Sequence, residues 1–394
     1  MLPSHLRSKK MFLVLTSILM SFTFAGWLAL LNNFAIDAVN FTGVEIGMLQ
    51  SLREVPGFLA FTVVFLLLAI AEQKLALISL AMLTIGVALT GYFPFEYGLY
   101  ATTVLMSVGF HYFETINTSL QLQYLKKEET PAVMGQLISV KSAASLVAYG
   151  TIWLCFNVFV IEYQAAYLLF GGVGLLLLVV IATSFPIFTT DIQQHKHLLM
   201  RKRYWLFYAL TFLSGARRQI FMVFAGFMMV EKFNYQVSDI ALLYIVNHVL
   251  NLYLGPKIGQ LIGKIGEQKA LTFEYAGLVL VFIGYALVEN QHLAAGLYVV
   301  DHIFFAMAIA VKTFFQKIAD PADIASTAGV SFTINHIAAV IIPALFGLLW
   351  MVNPSLVFYI GAGLAGVSLL FSQQINKQLH QAQRYQARLH QATT

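Results

Sequence analysis

The chain has 394 residues, of which 59% are apolar, 14% aromatic and only 10% charged, whereas a soluble domain carries about 25% charged residues. That composition excludes a soluble globular protein and points to a polytopic membrane protein. The single Cys155 excludes an intramolecular disulfide and a cysteine-cluster metal site, and its apolar neighbours make it a buried, inert thiol.

The N-terminus begins Arg7, Lys9, Lys10 and then runs apolar from Met11. This resembles a signal peptide, but the apolar run is too long and lacks a well-placed small-x-small cleavage site, so it is expected as an uncleaved first span. Apolar runs bounded by short polar turns give twelve expected spans: 11–36, 45–70, 75–93, 97–123, 134–157, 165–187, 204–230, 237–262, 270–288, 293–316, 327–350 and 354–373. Each is long enough to cross a hydrocarbon core of about 30 Å as a helix. Helices satisfy every backbone N–H and C=O internally, and the runs lack the alternation of a β-barrel. The fold class expected is all-α, with two six-helix bundles at 1–190 and 204–373, a central loop at 191–203 and a polar tail at 374–394.

Lysine and arginine at the loops and span ends fall 17 on one side, from Arg7 to Arg388 and including Lys257 near the end of the eighth span, against Lys232 alone on the other. By the positive-inside rule both termini are expected in the cytoplasm of a cell with a bacterial-type inner membrane. The net charge of +5 is thereby topological, and nucleic acid is not an expected partner.

Charged and polar residues inside the spans are expensive in lipid and mark function by default. The second span carries Arg53 and Glu54, a between-helix network or a substrate contact. On the fourth, Ser107, His111, Glu114, Thr115, Thr118 and Gln121 share a stripe about 120° wide, facing either a polar packing seam or water. His111 and Glu114 are i, i+3 neighbours. Lys141 in the fifth span needs a partner. The seventh run, 204–230, is uncharged except for Arg217 and Arg218 near its middle. Being adjacent, they cannot point the same way. One is expected toward a cavity, with Gln219 beside it, and the other toward a neighbouring helix. Glu114, Asp301 and Glu54 are the candidate partners, and the alternative is a purely structural ion pair. On the tenth span Asp301 and Lys312, eleven residues apart, are expected on one face about 16 Å apart, with His302 alongside. Asp37, Glu231 and Glu274 are expected at the membrane interface. Histidines within spans suit a proton relay. No His-x3-His pair lies within a span, so no metal site is expected.

The two halves repeat. Glu45-Ile46-Gly47-Met48-Leu49 matches Asp239-Ile240-Ala241-Leu242-Leu243 at an offset of 194, and Ile70-Ala71-Glu72-Gln73-Lys74 recurs as Ile265-Gly266-Glu267-Gln268-Lys269 at 195. Parallel repeats of this kind place a pathway between halves and a site near the midplane.

Over essentially its whole length the chain resembles the major facilitator superfamily. The twelve spans, cytoplasmic termini and central loop fit, and so does Gly259-Gln260-Leu261-Ile262-Gly263-Lys264-Ile265-Gly266-Glu267-Gln268-Lys269. This stretch is similar to the family's loop motif: Gly259, Lys264, Gly266 and Lys269 match it as gating-loop residues, while Gly263 stands where the acid belongs. The resemblance implies a transporter, not an enzyme, whose first, fourth, seventh and tenth spans line a central cavity.

The expected function is a monomeric secondary transporter of a small organic solute, anionic or zwitterionic. Arg217, Arg218, Gln219, His111, Thr115, Thr118 and Lys312 are expected at the substrate, and Glu114, Asp301, His302, Glu54 and Arg53 in proton coupling or ion pairing. No phosphate-binding loop is present, so protons, not ATP, are the expected drive, and no cofactor is expected. The alternatives are a proton-antiport exporter of amphipathic compounds and a non-transporting sensor on a transporter fold.

Overall fold

The computed structural model describes residues 7–41, 43–188, 197, 199–235 and 237–393. Among them there is no strand, and the regular elements are helices: α1 Lys9–Asp37, α2 Gly43–Phe58, α3 Val63–Leu66, α4 Glu72–Thr90, α5 Glu96–Tyr124, α6 Thr130–Asn157, α7 Tyr163–Ser184, α8 Trp205–Gln219, α9 Gly226–Glu231, α10 Val237–Ile265, α11 Glu267–Leu287, α12 Gln291–Ala306, α13 Ile309–Ile318, α14 Ile324–Val352, α15 Pro354–Ser372 and α16 Ile375–Thr393. Eight helical stretches among the described residues are long and apolar enough to cross a membrane. The fourth, seventh, eighth and eleventh expected stretches are also helical, as α5, as α8 through α9, as α10 and as α14. The central stretch 189–196 lies outside the described residues.

Local chemistry sets the ends of these helices. The Ser8 hydroxyl accepts from the Met11 N–H at 3.1 Å and opens α1, satisfying one of the donors that every helix start leaves unpaired. Asn290 does the same for α12 through the His292 and Leu293 N–H groups. Asn353 caps α15 through Ser355, with Pro354 in the first turn, where its missing N–H costs nothing. Pro56 inside α2 removes a backbone donor, and the helix tightens to a 3-10 turn at Leu59–Thr62 before α3.

The helix starts restate the sequence repeat. Glu72 and Glu267 open α4 and α11, and Glu96 and Gln291 open α5 and α12, each pair 195 residues apart. Two compact units result: residues 1–125, 140–198 and 325–333 form one, and 126–139, 199–324 and 334–394 the other. In the first unit α7 packs on α1 and α4, and in the second α15 packs on α8 and α11. The sixth span of each half thus packs on the first and the third in the same pattern.

The second unit contains the loop motif. Gly266 has φ +82 and starts α11, a conformation that side chains with a Cβ rarely adopt. Gly259 serves close packing: a Cβ there would meet the Pro131 carbonyl oxygen at 2.2 Å, and one on Gly135 would meet the Gly255 oxygen at 2.2 Å. Small residues four apart let two backbones touch. Lys264 and Lys269 are exposed, and nothing lies within 4 Å of a Cβ built on Gly263, where the motif acid would stand. The buried Glu267 instead pairs with Lys317 at 2.7 Å.

Between α13 and α14 the buried Asp323 accepts from Arg201 Nη2 at 2.9 Å, from the Tyr204 hydroxyl at 2.6 Å and from Arg203 at 3.1 Å, and Arg203 also reaches Asp320. Burial pushes the Asp323 carboxyl up, but the hydrogen bonds from Arg201, Tyr204 and Arg203 outweigh it and hold it below the ordinary carboxylate value.

Two outcomes are expected. Replacing Gly259 by Val pushes a branched side chain into the Pro131 carbonyl and costs about 1–3 kcal/mol, read as a lower melting temperature in detergent, while Gly263→Ala, in open space, leaves it unchanged. Because the Asp323 carboxyl is depressed, its stabilisation is full above its ordinary value of 3.8 and is lost as pH falls through the lower folded value. Thermal stability is therefore level from neutrality to about pH 5 and falls in strong acid, and Asp323→Asn lowers the neutral plateau and flattens that acid limb.

Candidate functional site

The intramembrane charges form two groups, one in each unit. In the first unit the polar stripe of α5 faces α2 and α6. Arg53 donates to Glu54 Oε1 from Nη2 at 2.8 Å and from Nε at 3.2 Å. His111 Nε2 lies 3.8 Å from the other Glu54 oxygen, and its Nδ1 is 3.0 Å from the Ser107 hydroxyl. That hydroxyl donates to the Arg53 carbonyl, which links α2 to α5. Lys141 on α6 donates to Glu114 Oε1 at 2.8 Å. The Thr115 hydroxyl bonds the His111 carbonyl one turn back at 2.9 Å and is buried, while Thr118 is only part-buried. Phe110, next to His111, stacks on Phe24 at 4.2 Å.

These ion pairs are not dry. Side-chain exposure is 23% for Arg53, 34% for Glu54, 29% for Lys141 and 20% for Glu114. Both members of each pair therefore keep accessible side-chain surface, through which a charged solute could take the place of either partner.

The second unit is built differently. Arg217 on α8 is 3% exposed, Glu274 on α11 is 2% and Asp301 on α12 is 4%. Arg217 Nη2 lies 3.9 Å from Glu274 Oε1, Nη1 donates to the Ser368 hydroxyl on α15, and the guanidinium stacks over the Tyr275 ring at 4.5 Å. Asp301 lies within electrostatic reach of both Arg217 and Glu274, with Tyr285 as its neighbour. Arg218 turns the other way, exposed, with its guanidinium over Phe305 at 5.5 Å. Just after Gln219, which is part-buried, the seventh span loosens into a π-helical stretch at Ile220–Ala225, a geometry frequent at functional sites.

Several expectations are corrected by this geometry. The two arginines do diverge, but the buried one pairs with Glu274 rather than with Glu114 or Glu54, which take Lys141 and Arg53. Glu274, expected at the interface, is buried. The ninth span starts at Glu267 rather than at 270, so Glu274 sits seven residues, about 10 Å, inside the helix, and the signal was the helix start that the repeat predicts. Asp301 and Lys312 do not share one continuous face, because the helix breaks at Met307 and Ala308. His302 reaches Asn251 on α10, with Asn251 Nδ2 2.8 Å from His302 Nε2. Ser368 and Tyr275 were not anticipated, since hydroxyls in apolar runs carry no periodic signal. Asp37 and Glu231 are exposed and take the Tyr163 hydroxyl and the Trp350 indole N–H at 2.7 and 2.8 Å.

Comparison with solved structures places this architecture among membrane transporters. FucP, a transporter in the outward conformation, is 15% identical over 92% of this chain and 98% of its own, with a TM-score of 0.73. A bacterial homologue of the iron transporter ferroportin, outward-facing, is 12% identical over 94% of this chain and 99% of its own, also at 0.73. The human organic anion transporter MFSD10 is 12% identical over 94% of this chain and the whole of its own, at the same score. At such identities the likeness is one of fold. No curated relative matches the chain by sequence. The model of the Major Facilitator Superfamily, however, matches residues 11–343, and the chain, a multi-pass membrane protein, belongs to that family.

Proposed function

We propose that the protein is a proton-coupled secondary transporter that moves a small anionic or zwitterionic organic solute by alternating access, with both termini in the cytoplasm. The observation that carries the reading is the half-open pair of ion pairs in the first unit, Arg53–Glu54 and Lys141–Glu114, each 2.8 Å long and each partly exposed. A charge inside an apolar helix must be compensated. The protein compensates its own cations, and a solute carboxylate can take over from Glu114 at Lys141 or from Glu54 at Arg53. A solute ammonium can in turn meet the released carboxylate. Arginine suits bidentate carboxylate recognition, and His111 beside Glu54 offers a further hydrogen-bonding group. The arrangement of lysine and arginine in the loops supports the orientation. The Phe24–Phe110 stack next to His111 favours a second reading, export of amphipathic compounds against protons, which uses the same site with an aromatic platform.

Counterflow into proteoliposomes, with a panel of organic anions, amino-acid-like zwitterions and lipophilic cations, tests this with and without a pH gradient. Accumulation of an anion or zwitterion driven by an inward proton gradient is the expected result. Lys141→Gln and Glu114→Gln are each expected to cut it at least tenfold, about 1.4 kcal/mol. Movement of lipophilic cations alone would establish the exporter reading, and full activity of both variants would remove this pair from the solute site.

A further inference from the structure

Three buried ionisable groups in the second unit do not balance. Arg217 brings one positive charge, and Glu274 and Asp301 bring two carboxyls, all in positions no more than 4% exposed. With both carboxyls ionised, the cluster would hold a net negative charge in a low-dielectric interior, at a cost of several kcal/mol per uncompensated ion. Arg217 is held at three points: one nitrogen faces Glu274 at 3.9 Å, another bonds Ser368, and the guanidinium plane lies on Tyr275.

The polar atoms add a second observation. Arg217 Nε and Glu274 Oε2 are both buried without a hydrogen-bond partner, while Asp301 has the Tyr285 hydroxyl beside it. Buried polar atoms are nearly always paired, and each exception calls for an explanation. An acid carrying a proton is a donor, and it can satisfy such an acceptor while removing the excess charge.

Among the described residues, Arg217 is the cation within electrostatic reach of both carboxyls. Facing the cluster, α8 presents Arg217, α11 presents Glu274, Tyr275 and Tyr285, and α12 presents Asp301 with Tyr298 and His302 next to it. From α10 come Tyr244 and His248, which act on Tyr298 and His302. From α15 comes the uncharged Ser368. Lys317 on α13 is engaged with Glu267. A metal cation in the cluster would be repelled by the guanidinium, whereas a proton is held by a covalent O–H bond and neutralises one carboxylate directly.

We propose that Glu274 and Asp301 share a single exchangeable proton opposite Arg217, and that this dry cluster, rather than the acids of the first unit, is the seat of the coupling proton. The step is a protonation: one carboxylate oxygen takes up H⁺ to give a carboxylic acid, the second carboxylate stays ionised against the guanidinium, and release reverses it. The two carboxyls titrate as a pair. The assignment of the proton as coupling ion rests on the transport reading above; the presence of the buried proton does not.

Infrared spectroscopy of the purified full-length protein in lipid nanodiscs tests it without any substrate. At neutral pH one buried carboxylic-acid C=O band is expected, shifting to lower frequency in D₂O. Glu274→Gln and Asp301→Asn should each abolish it, because one remaining carboxylate is balanced by Arg217 and stays ionised. Arg217→Gln should instead double the band. Absence of the band at neutral pH, or its survival in both single variants, overturns the proposal, and both of those variants keep side-chain shape. Proton-driven counterflow that is unimpaired in Glu274→Gln and Asp301→Asn, although the band is lost, overturns the coupling role and leaves the buried proton. Loss of pH-driven counterflow in these variants, with solute exchange retained, supports the role.

Discussion

A charge inside an apolar helix has to be met by another polar group, because the surrounding medium offers neither water nor counterions. This chain places at least eight such charges in its spans, and the way each is met organises the structure around it. Lys141 meets Glu114 from the neighbouring helix, Arg53 meets its own successor Glu54, and Arg217 is met by Glu274, Ser368 and the face of Tyr275. Lys141 and Glu114 thereby join α6 to α5, and Arg217 joins α8 to α11 and α15.

The two units answer the same constraint in different ways. In the first, the pairs are balanced and partly exposed: each cation has its acid, and each side chain retains exposure of 20% or more. In the second, the three groups are buried and their formal charges do not balance. On the proposed reading, one scaffold repeated twice carries an exchangeable site and a switchable one, and the asymmetry comes from a few residues rather than from the helices. The positions that match Arg217 and Arg218 in the first half are Thr23 and Phe24.

How much of this was legible in the sequence depends on the range of the interaction concerned. The apolar runs, the repeat and the need for partners could be read directly, as could the divergence of Arg217 and Arg218, which follows from adjacent residues on a helix. The choice of partner could not. Glu274 was misplaced because its helix starts three residues earlier than the apolar run suggests, and a shift of that size turns an interfacial acid into a buried one. The break at Met307–Ala308 hid itself for a related reason: no proline or glycine marks it, so periodicity ran straight through from Asp301 to Lys312.

What the sequence determined by itself was the class of the molecule: membrane-crossing helices in two repeated sets, with charges too costly to be accidental. Those features are local and compositional, fixed by run length, by the 3.6-residue period and by lysine and arginine counts. What only the tertiary structure decided was pairing and access. Glu114 and Lys141 are 27 residues apart, and Arg217 and Ser368 are 151 apart. Which helix faces which at a given depth is a product of packing, and so is whether water reaches the pair. No local pattern encodes the dryness around Arg217, Glu274 and Asp301, because it is made by helices α8, α11, α12 and α15 closing together.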